Sequence, residues 1–143
     1  MFIGEYKHTI DDKGRLAIPS KFRAQLAQGT VVTRGLDKCL FMYPKAEWEQ
    51  IAGKIAGLPL TQSNARAFAR LMLAGAMDVD IDKQGRVVLP AYLRQYAGIS
   101  TQAVVAGLYN RVEIWNDKVW SEYQSGSEKN SEDIAENLAN LGV

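Results

Sequence analysis

The residues of this chain whose types and spacing could do chemistry lie in two copies of one phrase. The first is Asp11-Asp12-Lys13-Gly14-Arg15-Leu16-Ala17-Ile18-Pro19 and the second is Asp82-Lys83-Gln84-Gly85-Arg86-Val87-Val88-Leu89-Pro90. Each reads Asp-x-x-Gly-Arg, three apolar residues, then Pro. An arginine presents a planar fork of donors that suits a phosphate or the O6 and N7 of guanine. The aspartate four positions earlier can accept from Arg15 or Arg86 across the turn, which makes Asp11 and Asp82 architectural residues. Such a link, if exposed, contributes at most about 1 kcal/mol by itself. Gly14 and Gly85 supply the positive φ of a tight connection. Lys13 and Lys83 stand at the turn tips, open to an anionic partner or to water. Arg23 and Arg94 recur as well, and arginines in short helices serve packing, a helix end or a phosphate contact.

Other chemistry finds little support in the residues. Asp11 and Asp12 look like a carboxylate pair, but neighbours in a strand face opposite ways, so shared acid–base work is not expected. His8 stands alone and reads as structural, and Cys39 is the single cysteine, so neither a metal site nor an internal disulfide is expected. There is no nucleophile–base set and no phosphate-cradling glycine loop. The sequence therefore predicts no enzyme activity, no cofactor and no small-molecule substrate.

The register between the two phrases extends in both directions. Gly4 answers to Gly75, Ile10 to Ile81, and Phe22-Arg23 to Leu93-Arg94, all 71 positions apart. Gly35, Tyr43 and Trp48 pair with Gly107, Trp115 and Trp120 at 72, which implies one inserted residue. A fixed long offset marks an internal repeat. The expected organisation is a first repeat over 1–50, linking helices over 51–72, a second repeat over 73–124 and an acidic tail over 125–143. Neither half is large enough to bury much surface alone, so the halves are expected to pack on each other.

The formal net charge is only +1, yet it is unevenly spread. Residues 1–116 hold fifteen basic against ten acidic side chains, an excess of +5, and residues 117–143 hold six acids against Lys118 and Lys129. A mildly basic body with an acidic tail permits a nucleic-acid partner without demanding one. No apolar run approaches the roughly 18 residues of a membrane span, and the first residues lack a leader's architecture. The lone cysteine fits a reducing compartment, so a cytosolic home without a membrane is the expectation.

The elements that must position the two phrases follow from period and punctuation. Tyr6–Ile10 reads as a strand entering a turn at Asp12-Lys13-Gly14, with Arg15–Ile18 as the return strand closed by Pro19. Ser20–Gln28 reads as a helix stopped by Gly29, followed by strands at Thr30–Arg34 and Cys39–Tyr43. The second repeat predicts strands at Met77–Ile81, Arg86–Leu89, Ala103–Ala106 and Val112–Trp115, with a helix at Ala91–Ala97. Between them Pro44 opens a helix whose apolar face carries Trp48, Ile51, Ile55 and Leu58, stopped at Gly57-Leu58-Pro59, and Ser63–Ala74 forms another with Phe68, Leu71 and Met72 in its core-facing stripe. Asn116 or Asp117 caps a helix carrying Val119, Trp120 and Tyr123. Ser125-Gly126-Ser127 reads as a flexible break before a short last helix, where Asp133 and Glu136 have capping-box spacing.

With both copies of the phrase in one frame, the chain resembles the MraZ family of bacterial transcriptional regulators, related to AbrB-type swapped-hairpin proteins. The likeness spans nearly the whole chain, including Tyr43-Pro44 to Trp48 and the intervening helices. It implies an α+β fold with a mainly β core, in which duplicated AbrB-like half-barrels form an intramolecular double-split β-barrel with flanking helices. It also implies a homo-oligomeric ring that binds double-stranded DNA at short repeated boxes upstream of its own division and cell-wall operon, mainly as a repressor, at the nucleoid. The DNA contacts map onto Lys13, Arg15, Arg86 and Lys83, with Asp11, Gly14, Asp82 and Gly85 as the architectural motif residues. Because Gln84 stands where the first copy has Lys13, the second hairpin is expected to contact DNA less or to serve the barrel more. Two other readings stay open. An AbrB-like antitoxin or protein-binding adaptor would use an exposed apolar last helix around Ile134 and Leu138, and a purely structural ring would turn its acidic tail to solvent.

Overall fold

The computed structural model describes residues 1–142. Among them the chain forms eight strands: Phe2–Thr9 (β1), Arg15–Ala17 (β2), Thr30–Arg34 (β3), Leu40–Pro44 (β4), Met77–Val79 (β5), Arg86–Val88 (β6), Gln102–Tyr109 (β7) and Val112–Asn116 (β8). Six α-helices join them: Ser20–Leu26 (α1), Lys45–Ala56 (α2), Ser63–Ala69 (α3), Ala91–Ala97 (α4), Asp117–Lys129 (α5) and Ser131–Asn137 (α6). The fold is α+β with a mainly β core. One sheet has six strands in the order β1-β7-β8-β4-β3-β5, the other holds only β2 and β6, and the larger sheet does not close on itself, which makes a split barrel.

Strand period sets the layers. Along β4, Leu40 and Met42 enter one core while Phe41 and Tyr43 enter another, as the alternation of a strand requires. The first core lies between the large sheet, the β2–β6 ribbon, α1 and α4, and is filled by Leu16, Ile18, Phe22, Val87, Leu89, Leu93, Val105 and Ile114 among others. The second, with Tyr43, Ile55, Met72 and Trp115, sits under α2, α3 and α5. Glu113 is buried there, but Arg111 Nη2 lies 2.8 Å from its carboxylate and Trp115 Nε1 donates at 3.0 Å. A buried carboxylate left unpaired would be strongly destabilising.

The topology corrects the local reading of each phrase. The sequence predicts that the strand before each turn returns as a hairpin with the strand after it. Instead β1 pairs residue for residue with β7, from Phe2↔Tyr109 to Thr9↔Gln102. Only an isolated Ile10↔Leu16 bridge joins the two arms of the first turn. The return strand β2 pairs antiparallel with β6, and β5 pairs with β3. Each repeat thus lends its first strand to the other repeat's hairpin. The two hairpins meet where β4 pairs with β8. Burial decides this: β2 is three residues long, too short to hold a sheet edge, and pairing with β6 seals Leu16 and Val87 against the first core.

Three further expectations change. Ser125-Gly126-Ser127 does not break the chain, because α5 runs through it to Lys129. A helical glycine costs only about 1 kcal/mol, and α5 is held by Trp120 and Tyr123 packing on Trp115 at ring-centroid distances of 5.3 and 5.1 Å. The spacing of Asp133 and Glu136 forms no capping box; α6 begins at Ser131 with no side-chain cap. The second linking helix turns π-helical over Arg70–Ala74. There the Leu71 carbonyl accepts from Arg34 Nη1 at 3.4 Å and the Met72 carbonyl from Thr33 Oγ1 at 2.6 Å, partners that compete with regular helical bonding. Of the two caps expected for α5, Asn116 is the one that serves, accepting from the Lys118 and Val119 amides at 2.9 and 3.0 Å.

Phe22 is fully buried and meets Phe2 and Tyr6 edge-on at 5.3 and 5.6 Å, joining α1 to β1. Phe22→Ala is expected to lower unfolding free energy by about 3–5 kcal/mol in urea titration. Ile134→Ala, on the exposed last helix, is expected to stay within about 0.5 kcal/mol of the wild type.

Candidate nucleic-acid interface

Each phrase folds into the same side-chain-supported turn. In the first loop, Asp11 Oδ1 accepts from the amides of Lys13 and Arg15 at 3.0 and 2.9 Å. Its Oδ2 accepts from Arg15 Nε at 2.5 Å. In the second, Asp82 Oδ1 accepts from the amides of Gln84 and Arg86, both at 2.9 Å, and Oδ2 from Arg86 Nε at 3.1 Å. The chain reversal is closed by Gly14 N–H to the Asp11 carbonyl and Gly85 N–H to the Asp82 carbonyl, each 3.0 Å. Gly14 and Gly85 sit at φ +80° and +77°, where a Cβ would be strained. Aspartate is the residue for this work, since its short carboxylate reaches its own backbone two positions on.

The arginines are oriented as a consequence. Each is bound through Nε, so the two Nη groups of the fork stay available. The side chains of Arg15 and Arg86 keep 32% and 30% exposure. On the β2–β6 ribbon, Leu16 faces Val87 on the buried side, while Arg15 lies opposite Val88 and Arg86 opposite Ala17 on the other. That register puts both arginines on one exposed face, diagonal to each other at about 7–8 Å. Lys13 and Lys83 are exposed at the two loop tips, at opposite ends of the ribbon. The sequence-predicted site residues are thus brought together, but by β2–β6 pairing and not by two separate hairpins. The tips also differ in charge. Lys13 has Asp12 beside it, whereas Lys83 has the neutral Gln84, so the second tip is the more positive one.

Beneath each loop lies a residue that sequence spacing flagged without placing. Arg23 Nε donates to the Ile18 carbonyl at 2.9 Å and Arg94 Nε to the Leu89 carbonyl at 3.0 Å. Their recurrence at the repeat offset was the available signal; the partners were not.

The electrostatics suit a donor-rich surface and no covalent chemistry. The Arg15 amide holds the Asp11 carboxyl below the usual carboxylate range, helped by the Arg15 side chain and the Lys13 amide. The Arg86 amide does the same for Asp82, with the Gln84 amide and the Arg86 side chain adding to it. Burial pushes the Cys39 thiol far up, aided by the charges of Glu113 and Asp37, so it is no nucleophile. Among the described residues no group of His, Cys, Asp and Glu is arranged to hold a metal ion, and no helix is long and apolar enough to cross a membrane.

Comparison with known proteins supplies the rest. A family model described as "MraZ protein, putative antitoxin-like" matches residues 1–71 and again 72–141. The two matches begin 71 residues apart, the offset of the repeated phrase. Relatives called "Transcriptional regulator MraZ" include those of Syntrophomonas wolfei, 46% identical, Thermoanaerobacter sp. strain X514, 49%, and Pediococcus pentosaceus, 51%. In each case the match covers 100% of both chains over 143 residues.

Because both aspartates are more acidic in the folded loops, their contribution is present above the ordinary carboxylate range and is lost as pH falls through the folded values. In an amide NMR titration, Lys13, Arg15, Gln84 and Arg86 are expected to shift together with midpoints below about 3.9. Midpoints at or above that value would show that the carboxylates do not hold the loops.

Proposed function

The chain belongs to the MraZ family, and from that membership we propose that it is a sequence-specific DNA-binding transcriptional regulator whose reading head is the β2–β6 ribbon. The family is one of regulators and not of enzymes. The observation that carries the proposal is the pair of arginines on one exposed ribbon face, each held by its own aspartate through Nε with the Nη groups free. The major groove is about 12 Å wide and admits a two-stranded ribbon. Arg15 and Arg86 meet guanine edges or phosphates, Lys13 and Lys83 meet flanking phosphates, and Ala17 and Val88 between them offer apolar surface to a thymine methyl.

One head of this kind binds weakly. Neutralising about two phosphates yields little affinity at physiological salt. A homo-oligomeric ring placing four heads on short repeated boxes neutralises about eight, and log K then falls with log salt at a slope near −7. Linking weak sites raises affinity by about 10² to 10⁴ with no new contact. Repression follows by occluding the promoter of its own division and cell-wall operon, which places the protein in the cytoplasm at the nucleoid. An array of boxes must then bind far more tightly than one isolated box; equal affinity for the two counts against the ring.

A second reading has its own observation. Ile134, Leu138 and Leu141 are all exposed on the last helical segment, a stripe that suits a protein partner of an antitoxin or adaptor. Removing residues 125–143 separates the two readings: under the regulator reading DNA binding persists, and under the adaptor reading a partner is lost while no DNA is bound by either form.

In mobility-shift titrations on a single box, Arg15→Ala and Arg86→Ala are each expected to weaken binding by about 10- to 100-fold, the value of one good base or phosphate fork, and by more on the chain's own upstream region, where several heads lose the contact at once. Lys83→Ala is expected to lower the salt slope by about one unit per engaged head across sequences, so by roughly 3–4 units on an array that takes four heads. Light scattering must show the oligomer intact. Full binding by a still-assembled Arg15→Ala, Arg86→Ala double variant would remove the ribbon as the reader.

A further inference from the structure

The two loops are wired to each other's repeats. In the second loop, the Gly85 carbonyl accepts from the Ile18 amide at 2.8 Å. The Ile18 carbonyl in turn accepts from Arg23 Nε at 2.9 Å. The Arg23 guanidinium then lies directly on Gly85, where an added Cβ would come within 2.7 Å of Nη1. The circuit runs from Gly85 to Ile18 to Arg23 and back to Gly85, and two of its three members belong to the first repeat. The first loop has the mirror circuit. The Gly14 carbonyl accepts from the Leu89 amide at 2.9 Å, and the Leu89 carbonyl accepts from Arg94 Nε at 3.0 Å. A Cβ on Gly14 would come within 2.9 Å of both Arg94 Nε and the Leu89 carbonyl.

We infer that each Asp-x-x-Gly-Arg loop is positioned by an arginine of the opposite repeat, Arg23 setting the loop at Gly85 and Arg94 the loop at Gly14. The glycines are required on two counts, for positive φ and because the guanidinium occupies the space a side chain would take. Arg23 and Arg94 are positioning residues. A flat guanidinium donating through Nε while stacked on a glycine fixes both the height and the tilt of the loop above it, which a lysine ammonium on a flexible stem does not. The two repeats therefore form one reading head in which each tip is held by a residue of the other repeat. This last consequence for DNA rests on the regulator reading; the crosswise bracing does not.

Amide hydrogen exchange of the full chain without DNA tests it. In Arg23→Ala, exchange at Gln84, Gly85 and Arg86 is expected to rise by about tenfold, while Lys13, Gly14 and Arg15 stay within about twofold of wild type. Arg94→Ala is expected to give the reverse pattern. If Arg23→Ala loosens the first loop instead, or both loops equally, or neither, the inference is overturned. Should Arg23→Ala fail to fold by circular dichroism, Arg23→Lys, which keeps the charge and the stem, is read by the same criterion. Mobility shifts on the repeated boxes then separate the two claims. Loosening of the second loop with a loss of DNA affinity of about tenfold supports both. Loosening with unchanged affinity leaves the bracing in place and removes that loop from the DNA reading.

Discussion

The antiparallel pairing of β2 with β6 is the constraint on which the other features depend. Each strand is three residues long, too short to hold a sheet edge alone, and while β1 and β5 pair with β7 and β3, β2 and β6 pair with each other. Pairing across the repeats buries Leu16 and Val87 completely against α1, α4 and the large sheet. The same pairing turns Arg15 and Arg86 outward together. Core formation and presentation of the cations are thus two faces of one ribbon, and a slip of one residue would exchange them.

Within that ribbon, the Asp-x-x-Gly-Arg phrase solves a local problem of geometry. A tight turn leaves backbone N–H groups without strand partners, and the Asp11 and Asp82 carboxylates take two of them each. The remaining carboxylate oxygen accepts from Nε, which selects one arginine rotamer among many. The ion pair adds little stability at such exposure. Under the proposed function its value lies in having the fork already set before DNA arrives, so that less rotamer entropy is lost on binding. For the proposed DNA reading the chain's small net charge is no obstacle, because Arg15 and Arg86 share one exposed face while the acidic residues of α5 and α6 lie in a separate C-terminal segment.

Around this head the helices follow tertiary partners over local propensity. The chain continues as helix through Ser125-Gly126-Ser127 because α5 covers Trp115. Earlier in the chain, the linking helix widens at Arg70–Ala74 because Thr33 and Arg34 of β3 claim its carbonyls. Tyr92 and Tyr96 of α4 then donate to the Gly75 and Gly35 carbonyls at 2.9 and 2.8 Å, with the Arg34 guanidinium over both rings at 5.8 and 5.9 Å. These contacts tie the linker and the first repeat to the second repeat's helix.

The sequence by itself determined the duplication, the turn residues, the helices at Ser20 and Ala91, a cap at Asn116 or Asp117 and the identity of the residues that gather at the ribbon. All of these are encoded by neighbours a few positions apart: an aspartate that reaches its own backbone, a glycine at positive φ, a proline that ends a strand. Only the tertiary structure decided which strand each turn feeds. Two identical local signals are compatible with two separate hairpins or with an exchange between repeats, and the choice is made by how much of Leu16, Val87 and β1 can be buried at once. The same holds for Arg23 and Arg94. Their recurrence at one offset marks them as equivalent, but the glycine each one covers lies in the other repeat, more than sixty residues away along the chain, at a distance that spacing does not encode and packing does.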